Sequence, residues 1–577
     1  MKCMRIIGAS LIALHAGVSS LSAEVQSKPN VLFIAVDDLN DWIGCLGGNE
    51  QSITPNFDRL AASGMLFSNA HCVAPACNPS RTATMTGRAP WKSAVYANIQ
   101  KMREVLPQET ILPKYFSSHG YWAGGSGKML HYFIDAGSWH EYFPKQETEN
   151  PFPFTMYPKE RPVSLPRGGA WQYVETDWGP IDTTDKAFGG DYLVANWVSE
   201  KLLKKHEKPF FLACGIYRPH EPWFVPKKYF DKFPLKDIKL PPGYKEDDLD
   251  DLPKAGKARG ANRYFAHIRK HKQWKRGVQG YLASINFADT MLGHVLDSLE
   301  KGPNKDNTIV VLWSDHGWHL GEKQHWQKYT AWRATTRVPL MVKVPKEISK
   351  ALPHGVTPGG VCDDPVSLLS IFPTLTELCD LPAKPNIDGV SIVPLLKNPM
   401  LKTGRLAVTC LERPKAFGLS DRDWRYIHYP DGSEELYYIS KDPYEWNNLA
   451  NKPEHKQKLV YFRENSPKDF IPIPKQSYHT YPSMKWVPFK GSKPPVSKPD
   501  GGRKEIVFIN RKAQTIFLYR LNADGTEIKK ARVFPEKHYV TSDLPGGVWV
   551  VKDRAGKILG HFQVGDRKAK GVIPAQG

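Results

Sequence analysis

The chain is short of several things. After the N-terminus its 577 residues contain no apolar run of 18, which excludes a protein that crosses a membrane many times. Cysteine is scarce, eight in all, and none stands in a CxxC pair, so a zinc ribbon is disfavoured. Acid is short too: 59 Asp and Glu face 79 Lys and Arg, a net charge of +20. That imbalance points to an anionic partner, whether nucleic acid, a membrane surface or a polyanionic substrate, although a solvated basic surface carries the same signature. The charge is uneven, with 18 Lys and Arg against 8 Asp and Glu from Lys490 onward. Core material is plentiful at 41% hydrophobic residues, and 48 Pro, 17 Trp and 24 Tyr favour irregular, aromatic-lined loops.

Residues 1–23 read as a secretory signal. Lys2 and Arg5 form a charged start, Ile6 to Val18 is apolar apart from His15, and Ser20-Leu21-Ser22-Ala23 offers small residues for cleavage. The apolar run is short for a membrane anchor. The expected location is periplasmic or secreted, which sets nucleic acid aside and leaves no membrane span after cleavage. Cys3 leaves with the signal. The remaining seven, Cys45, Cys72, Cys77, Cys214, Cys362, Cys379 and Cys410, are an odd number, so one has a separate job. The connectivity of the others stays open.

The pattern along the chain is α/β. Val31 to Val36 is continuously apolar, as in a buried parallel strand, and ends in Asp37 and Asp38. Thr54-Pro55 then opens a helix that Gly64 closes. Further strands are expected at Phe210–Tyr217, Ile309–Trp313 and Val338–Val344. Helices are expected around Tyr281–Leu299 and Leu368–Leu378. Polar residues follow several strands, where open α/β sheets bind ligands. Residues 471–503 are rich in Pro, Lys and Ser and read as a linker or wrapping segment. Short strands then recur at Glu505–Asn510, Thr515–Leu521, His538–Ser542, Gly547–Lys552 and Ile558–Val564, an all-β module placed at 504–566.

The sharpest local signal is Cys77-Asn78-Pro79-Ser80-Arg81-Thr82-Ala83-Thr84-Met85-Thr86-Gly87-Arg88. A cysteine, a helix start and two arginines make an anion pocket, the helix adding its free N–H groups and dipole. A tyrosine-phosphatase loop needs arginine six positions after the cysteine, and position 83 is Ala. The segment resembles the type I sulfatase signature, Cys-x-Pro-Ser-Arg followed by Thr-Gly-Arg. The resemblance implies that a formylglycine-generating or anaerobic maturation enzyme converts Cys77 to Cα-formylglycine, whose hydrate attacks sulfur with one hydroxyl and expels sulfate with the other. It also implies one Ca2+ per chain held by Asp37, Asp38, Asp315, His316 and residue 77, oxygen ligands suiting that ion. Many sulfatases carry Asn where this chain has His316; the iduronate-2-sulfatase-like branch has His.

Three further stretches resemble that branch: Gly127-Lys128-Met129-Leu130-His131, Arg218-Pro219-His220-Glu221-Pro222, and Asp315 to Glu322 continuing to Trp326 and Lys328. By resemblance Arg81, Lys128 and Lys328 hold the sulfate, His131 is the base in sulfate elimination, and His220 protonates the leaving oxygen. His319 and His325 are placed at the rim. The implied fold is an alkaline-phosphatase-like sandwich, a large mixed sheet flanked by helices over 24–400, with a smaller antiparallel C-terminal subdomain over 401–470. The implied substrate is a sulfated, uronic-acid-containing carbohydrate, its choice set by loops 139–179 and 247–276. Residues 503–565 more faintly resemble the β-domain of the von Hippel–Lindau protein; protein binding, glycan binding and plain stabilisation are all open for them. Two other classes remain: a phosphatase, phosphodiesterase or phosphonate hydrolase of the same superfamily, and a noncatalytic glycan binder.

Overall fold

The computed structural model describes residues 28–131, 133–145, 165, 176–346, 348, 358–474, 481–499 and 504–575. The expected signal and most of the 139–179 loop lie outside them. The described residues form two compact units, the first ending at Ile471 and the second starting at Pro472. No helix among them is long and apolar enough to cross a membrane.

The first unit is built on an eight-stranded sheet. Its order is Gly360–Cys362, Met65–Phe67, Leu340–Lys343, Thr308–Ser314, Asn30–Val36, Phe210–Ile216, Trp122–Gly127 and Glu141–Phe143. All run one way except Leu340–Lys343, which pairs antiparallel with both neighbours. Asn30–Val36 lies in the middle and is buried at every position, which is why its sequence shows no polar alternation. Leu32, Ile34 and Val36 pack with the long helix Trp274–Lys301 and with Asp191–Leu202 on one face. Val31, Phe33 and Ala35 pack with Cys77–Thr86, Leu112–Ser118 and Ile371–Leu378 on the other. The helix Pro55–Ser63 starts where its sequence says, but Thr54 does not cap it. Asp289 does so instead, accepting N–H bonds from Asn56 (2.9 Å) and Phe57 (3.0 Å), while Thr54 Oγ1 accepts from Gly44 N–H at 2.8 Å. A tertiary partner has displaced the local one.

A four-stranded antiparallel sheet, Ala407–Cys410, Phe417–Ser420, Trp424–His428 and Glu434–Tyr438, follows with the helix Lys456–Glu464. Lys323 ties this subdomain to the sheet-bearing body. Its buried ammonium donates to Asp248 Oδ1 at 2.7 Å and to the Glu445 carbonyl, and it lies over the rings of Trp332 and Tyr437.

The second unit contains a five-stranded sheet, Val487–Pro488, Ile558–Gln563, Val548–Lys552, Ile516–Leu521 and Glu527–Val533. A three-stranded sheet, His538–Asp543, Lys504–Asn510 and Ala569–Ile573, completes it. Ile506, Phe508, Leu518, Trp549, Val551 and Phe562 form its own core. Within the stretch 471–503, Met484 packs in that core and Trp486 lies 5.0 Å from Phe562.

Breaking the buried Lys323–Asp248 pair strands a carboxylate. Lys323→Met is therefore expected to lower the unfolding free energy by about 3–5 kcal/mol, read from denaturant titration. Adding Asp248→Leu should restore most of the loss; a double variant less stable than either single one contradicts this reading.

Candidate active site

Four adjacent strands of the large sheet end at one place. Asp37 and Asp38 follow Asn30–Val36, Asp315 and His316 follow Thr308–Ser314, Lys128 follows Trp122–Gly127, and the turn to His220 follows Phe210–Ile216. The close approach of the last two strands requires glycine. A Cβ on Gly127, whose φ is +74°, would lie 2.1 Å from the Gly215 carbonyl oxygen, and one on Gly215 would lie 2.4 Å from Lys128 backbone. Asp38 sits in the left-handed region at φ 61°, which an Asp tolerates.

The helix Cys77–Thr86 brings Cys77 to this edge. Its Sγ lies 3.1 Å from Lys328 Nζ, 3.3 Å from His316 Nε2 and 3.5 Å from Lys128 Nζ. The His131 ring also contacts it. Arg81, one turn further on, is wholly buried: Nε donates to Asp315 Oδ2 at 2.7 Å, Nη2 to Asp37 Oδ1 at 3.1 Å, and Nη1 to the Lys128 carbonyl. Lys128 donates to Asp37 Oδ2, and Lys328 to Asp38 Oδ1 at 2.8 Å. His220 Nε2 stands 3.7 Å from Asp38 Oδ2. Asp37, Asp38, Cys77, Arg81, Lys128, His131, His220, Asp315, His316 and Lys328 thus converge on one cluster.

Several details differ from the expectation. Arg81 spends its donors on carboxylates and a carbonyl, so it positions the acids. Arg88 lies at the far end of the helix, roughly 15 Å along at 1.5 Å per residue, and pairs with Glu109 at 3.2 Å. The helix contributes its dipole more than open amides. Asn98 Oδ1 accepts the Asn78 N–H at 2.9 Å, Pro79 has none, and the Ser80 N–H bonds Ala76 at 3.1 Å. His319 and His325 are buried in the fold, where His319 bonds Thr330 Oγ1 at 2.7 Å and His325 Nε2 lies 3.0 Å from the Lys328 carbonyl. From loop 247–276, Arg259 pairs with Glu412 at 3.0 Å.

Electrostatics single out Cys77. Burial pushes up the other six thiols, Cys45 and Cys379 to about 12 and Cys362 to about 11. All seven are free of disulfides in the described structure. Burial acts on Cys77 as well, but Lys128, Lys328 and His316 outweigh it and hold the thiol well below its ordinary value. Burial and Asp315 push Asp37 up, yet Lys128 and Arg81 bring it below the usual range. Burial leaves Asp38 raised, despite His220 and Lys328. Both lysines lose to burial and regain more from Asp37 and Asp38, so both stay ammonium groups.

The family profile named Sulfatase matches residues 29–381, and the profile for the N-sulphoglucosamine sulphohydrolase C-terminal region matches 321–465. A sulfatase of Formosa agariphila is 37% identical over 487 residues, covering 82% of this chain and 94% of that one. The chain belongs to the sulfatase family. It is therefore a sulfuric ester hydrolase of the alkaline-phosphatase-like fold. Mouse iduronate 2-sulfatase is 30% identical to it over 483 residues, 76% of this chain and 84% of that one. Among solved structures, a phosphonate monoester hydrolase of Agrobacterium radiobacter shares the fold, with a TM-score of 0.61 and 20% identity over 76% of this chain and 94% of that one. At that identity the likeness speaks for the fold alone.

Sulfatases generally work with formylglycine and a divalent metal, and this cluster fits one. Asp38 Oδ2 is buried and accepts no hydrogen bond among the described residues. His316 Nδ1 donates to the Gly317 carbonyl at 3.1 Å, which leaves Nε2 facing the acids; burial works against charge there, yet Asp315 raises the imidazole to about 9, so a metal ion would take the place of the Nε2 proton. Asp37, Cys77, Asp315 and His316 present ligand atoms within 4.8 Å of one another. Tyr329 was not singled out by sequence. It is half-buried beside Lys328 at φ 76°, an unusual backbone for tyrosine, and its hydroxyl accepts from Asn98 Nδ2 at 3.4 Å. Gln327, at φ 93°, adds a second left-handed residue, so the chain twists on both sides of Lys328. Nothing in residue type announces that conformation.

Arg81 and Arg88 lie in one motif but in different surroundings. Arg81→Gln should lower kcat/KM for a sulfate ester by at least ~100-fold through misplaced carboxylates, and Arg88→Gln by no more than about threefold. Equal losses in steady-state kinetics contradict that division.

Proposed function

We propose that this sulfatase removes sulfate from a uronic-acid-containing glycan, using Cα-formylglycine made from Cys77 and one Ca2+, in the periplasm or outside the cell. The observation that carries the reading is Cys77 itself, held at a helix start between Lys128 and Lys328 beside three buried carboxylates. In this structure Sγ marks where formylglycine would carry its oxygens. The geminal hydroxyls of hydrated formylglycine supply one oxygen for attack on sulfur and a second to expel sulfate. Asp37, Asp38, Asp315 and His316, with residue 77, would hold the cation, which when bound acidifies the attacking hydroxyl and polarises the sulfate oxygens.

The remaining work falls to residues of the chain. Lys128 and Lys328 flank position 77 and meet the sulfate oxygens, with Trp318 lying 5.3 Å from the Lys328 ammonium. His220 Nδ1 donates to the Glu221 carbonyl at 2.6 Å, so Nε2 carries the exchangeable proton and delivers it to the leaving alcohol. His131, whose basicity burial lowers, contacts position 77 and takes the proton released as sulfate departs. Overall the ester and water become an alcohol and hydrogen sulfate. The uronate preference draws on the likeness to mouse iduronate 2-sulfatase and on His316, which the iduronate-2-sulfatase-like branch shares.

Conversion of Cys77 lightens the tryptic peptide ending at Arg81 by about 18 Da in mass spectrometry. Cys77→Ala should retain the fold and lose turnover; full activity in that variant defeats the mechanism. Elemental analysis should find one Ca2+ per chain, and chelation should abolish hydrolysis until Ca2+ returns. Desulfation of defined oligosaccharides should favour sulfated uronates over sulfated hexosamines. A phosphonate ester hydrolysed faster than any sulfate ester would favour the neighbouring hydrolase class instead.

A further inference from the structure

The second unit holds the densest unexplained charge in the chain. From Lys490 onward lie 18 of the 79 basic residues and only 8 of the 59 acidic ones. Part of this charge is organised. In the five-stranded sheet, Ile516, Leu518, Trp549, Val551 and Phe562 face the core. Phe517, Tyr519 and Leu521 alternate with them and face outward. Half of that outer face is covered: Leu521, Val548 and Val550 are buried, and Ser497 bonds the Leu521 carbonyl and the Val548 N–H.

The other half is open. Phe517 pairs across the sheet with Lys552 and Arg532, and Tyr519 with Lys529. The Lys529 ammonium sits 4.2 Å from the Phe517 ring centre, Lys552 lies 4.9 Å from Tyr519, and the Arg532 guanidinium lies 4.5 Å from Phe534. Three cations and three aromatic rings thus alternate on one surface. The acid among them, Glu527, pairs with Lys552 at 2.5 Å. Lys529 and Arg532 meet no carboxylate among the described residues, and both are exposed. An edge strand kept soluble by charge needs lysine somewhere, but not one laid over a ring of its neighbour, as Lys529 is over Phe517.

We infer that this face is a binding site for an anionic sulfated polysaccharide chain, separate from the hydrolytic site, and that it anchors the enzyme to polymeric substrate. The inference rests on the sulfatase reading for the identity of its occupant. The chemistry follows from the surface. Aromatic faces stack on the apolar faces of sugar rings, while unpaired cations between them meet sulfate and carboxylate groups. An open strand face suits an extended chain, and charge complementarity favours a polyanion. Nucleic acid shares the charge but is a poor match for an enzyme of sulfate esters.

The test uses the full-length chain carrying Cys77→Ala, so that nothing is turned over, titrated against immobilised heparin and against heparin stripped of its sulfates. Phe517→Ala with Tyr519→Ala and Lys529→Gln should weaken heparin binding at least tenfold. The same substitutions in the active protein should leave kcat/KM on a small aryl sulfate within twofold. The exposed pair Lys529→Gln and Arg532→Gln, which cannot disturb the core, should lose affinity in the same direction and flatten its salt dependence. Unchanged heparin affinity in both variants overturns the inference, as does equal affinity for desulfated heparin. Displacement of heparin by duplex DNA at equal charge concentration overturns it too, since the face would then be a general polyanion surface. The aryl sulfate measurement keeps the two readings apart. A failed anchor leaves that activity intact, whereas a failed sulfatase reading removes it whatever the polymer does.

Discussion

Three buried carboxylates stand together at the end of two neighbouring strands, and the rest of the molecule is arranged around that fact. Asp37, Asp38 and Asp315 are wholly out of water, where mutual repulsion and lost hydration make bare charges expensive. Three buried cations threaded among them offset that cost: they hold Asp37 and Asp315 below the usual carboxylate range, while burial leaves Asp38 raised. Arg81 spans Asp37 and Asp315, Lys128 holds Asp37, and Lys328 holds Asp38. Each cation comes from a different segment, so the cluster needs the helix Cys77–Thr86 and the loops after two further sheet elements to assemble together. The large, mostly parallel sheet makes that possible, since its adjacent parallel strands deliver their ends to one edge.

The same cations explain why one thiol out of seven is chemically distinct. Cys72, Cys214 and Cys410 are as buried as Cys77 and are pushed further from ionisation, because burial meets too little opposing positive charge there. At position 77 the environment serves negative charge, whichever atom bears it. A hydroxyl placed there would be favoured as its anion by the same lysines, and a sulfate group arriving there would meet them directly. Nucleophile and substrate thus draw on one electrostatic arrangement.

Much of this is legible in the sequence. The apolar run Val31 to Val36 followed by two acids, the run Ile309 to Trp313 followed by Ser-Asp-His, and the Cys77-to-Arg88 motif each state a local fact, and the fold joins them. Roles that depend on direction were less legible. Arg81 and Arg88 look alike in sequence, yet one is locked inside and the other is at the far end of a helix. His319 and His325 follow the metal motif closely enough to suggest the rim, but their rings are bonded inside the fold, to Thr330 and to the Lys328 carbonyl. Thr54 looked like a helix cap until Asp289, 235 residues later, took the position. In the second unit the strand Glu527–Val533 escaped notice because it is an exposed edge, mostly charged and without the apolar alternation that marks half-buried strands. Tyr329 gave no warning because backbone strain is not a property of residue type.

The ligand geometry also bears on which reaction the fold performs. The fold itself is shared with a phosphonate monoester hydrolase, so architecture leaves the choice of ester open. The two groups of potential ligands among the described residues overlap, sharing Asp37 and Cys77. A pair of zinc ions needs two adjoining sets of ligands to balance four positive charges. Here the positions beside the carboxylates are already taken by the Lys128 and Lys328 ammonium groups and the Arg81 guanidinium. Fixed monovalent cations around position 77 suit the transfer of a group with a single negative charge, where modest stabilisation spread over several donors is enough. That balance describes a monoanionic ester, whether of sulfate or of a phosphonate, better than a phosphate monoester dianion; between the two monoanions the family match decides for sulfate.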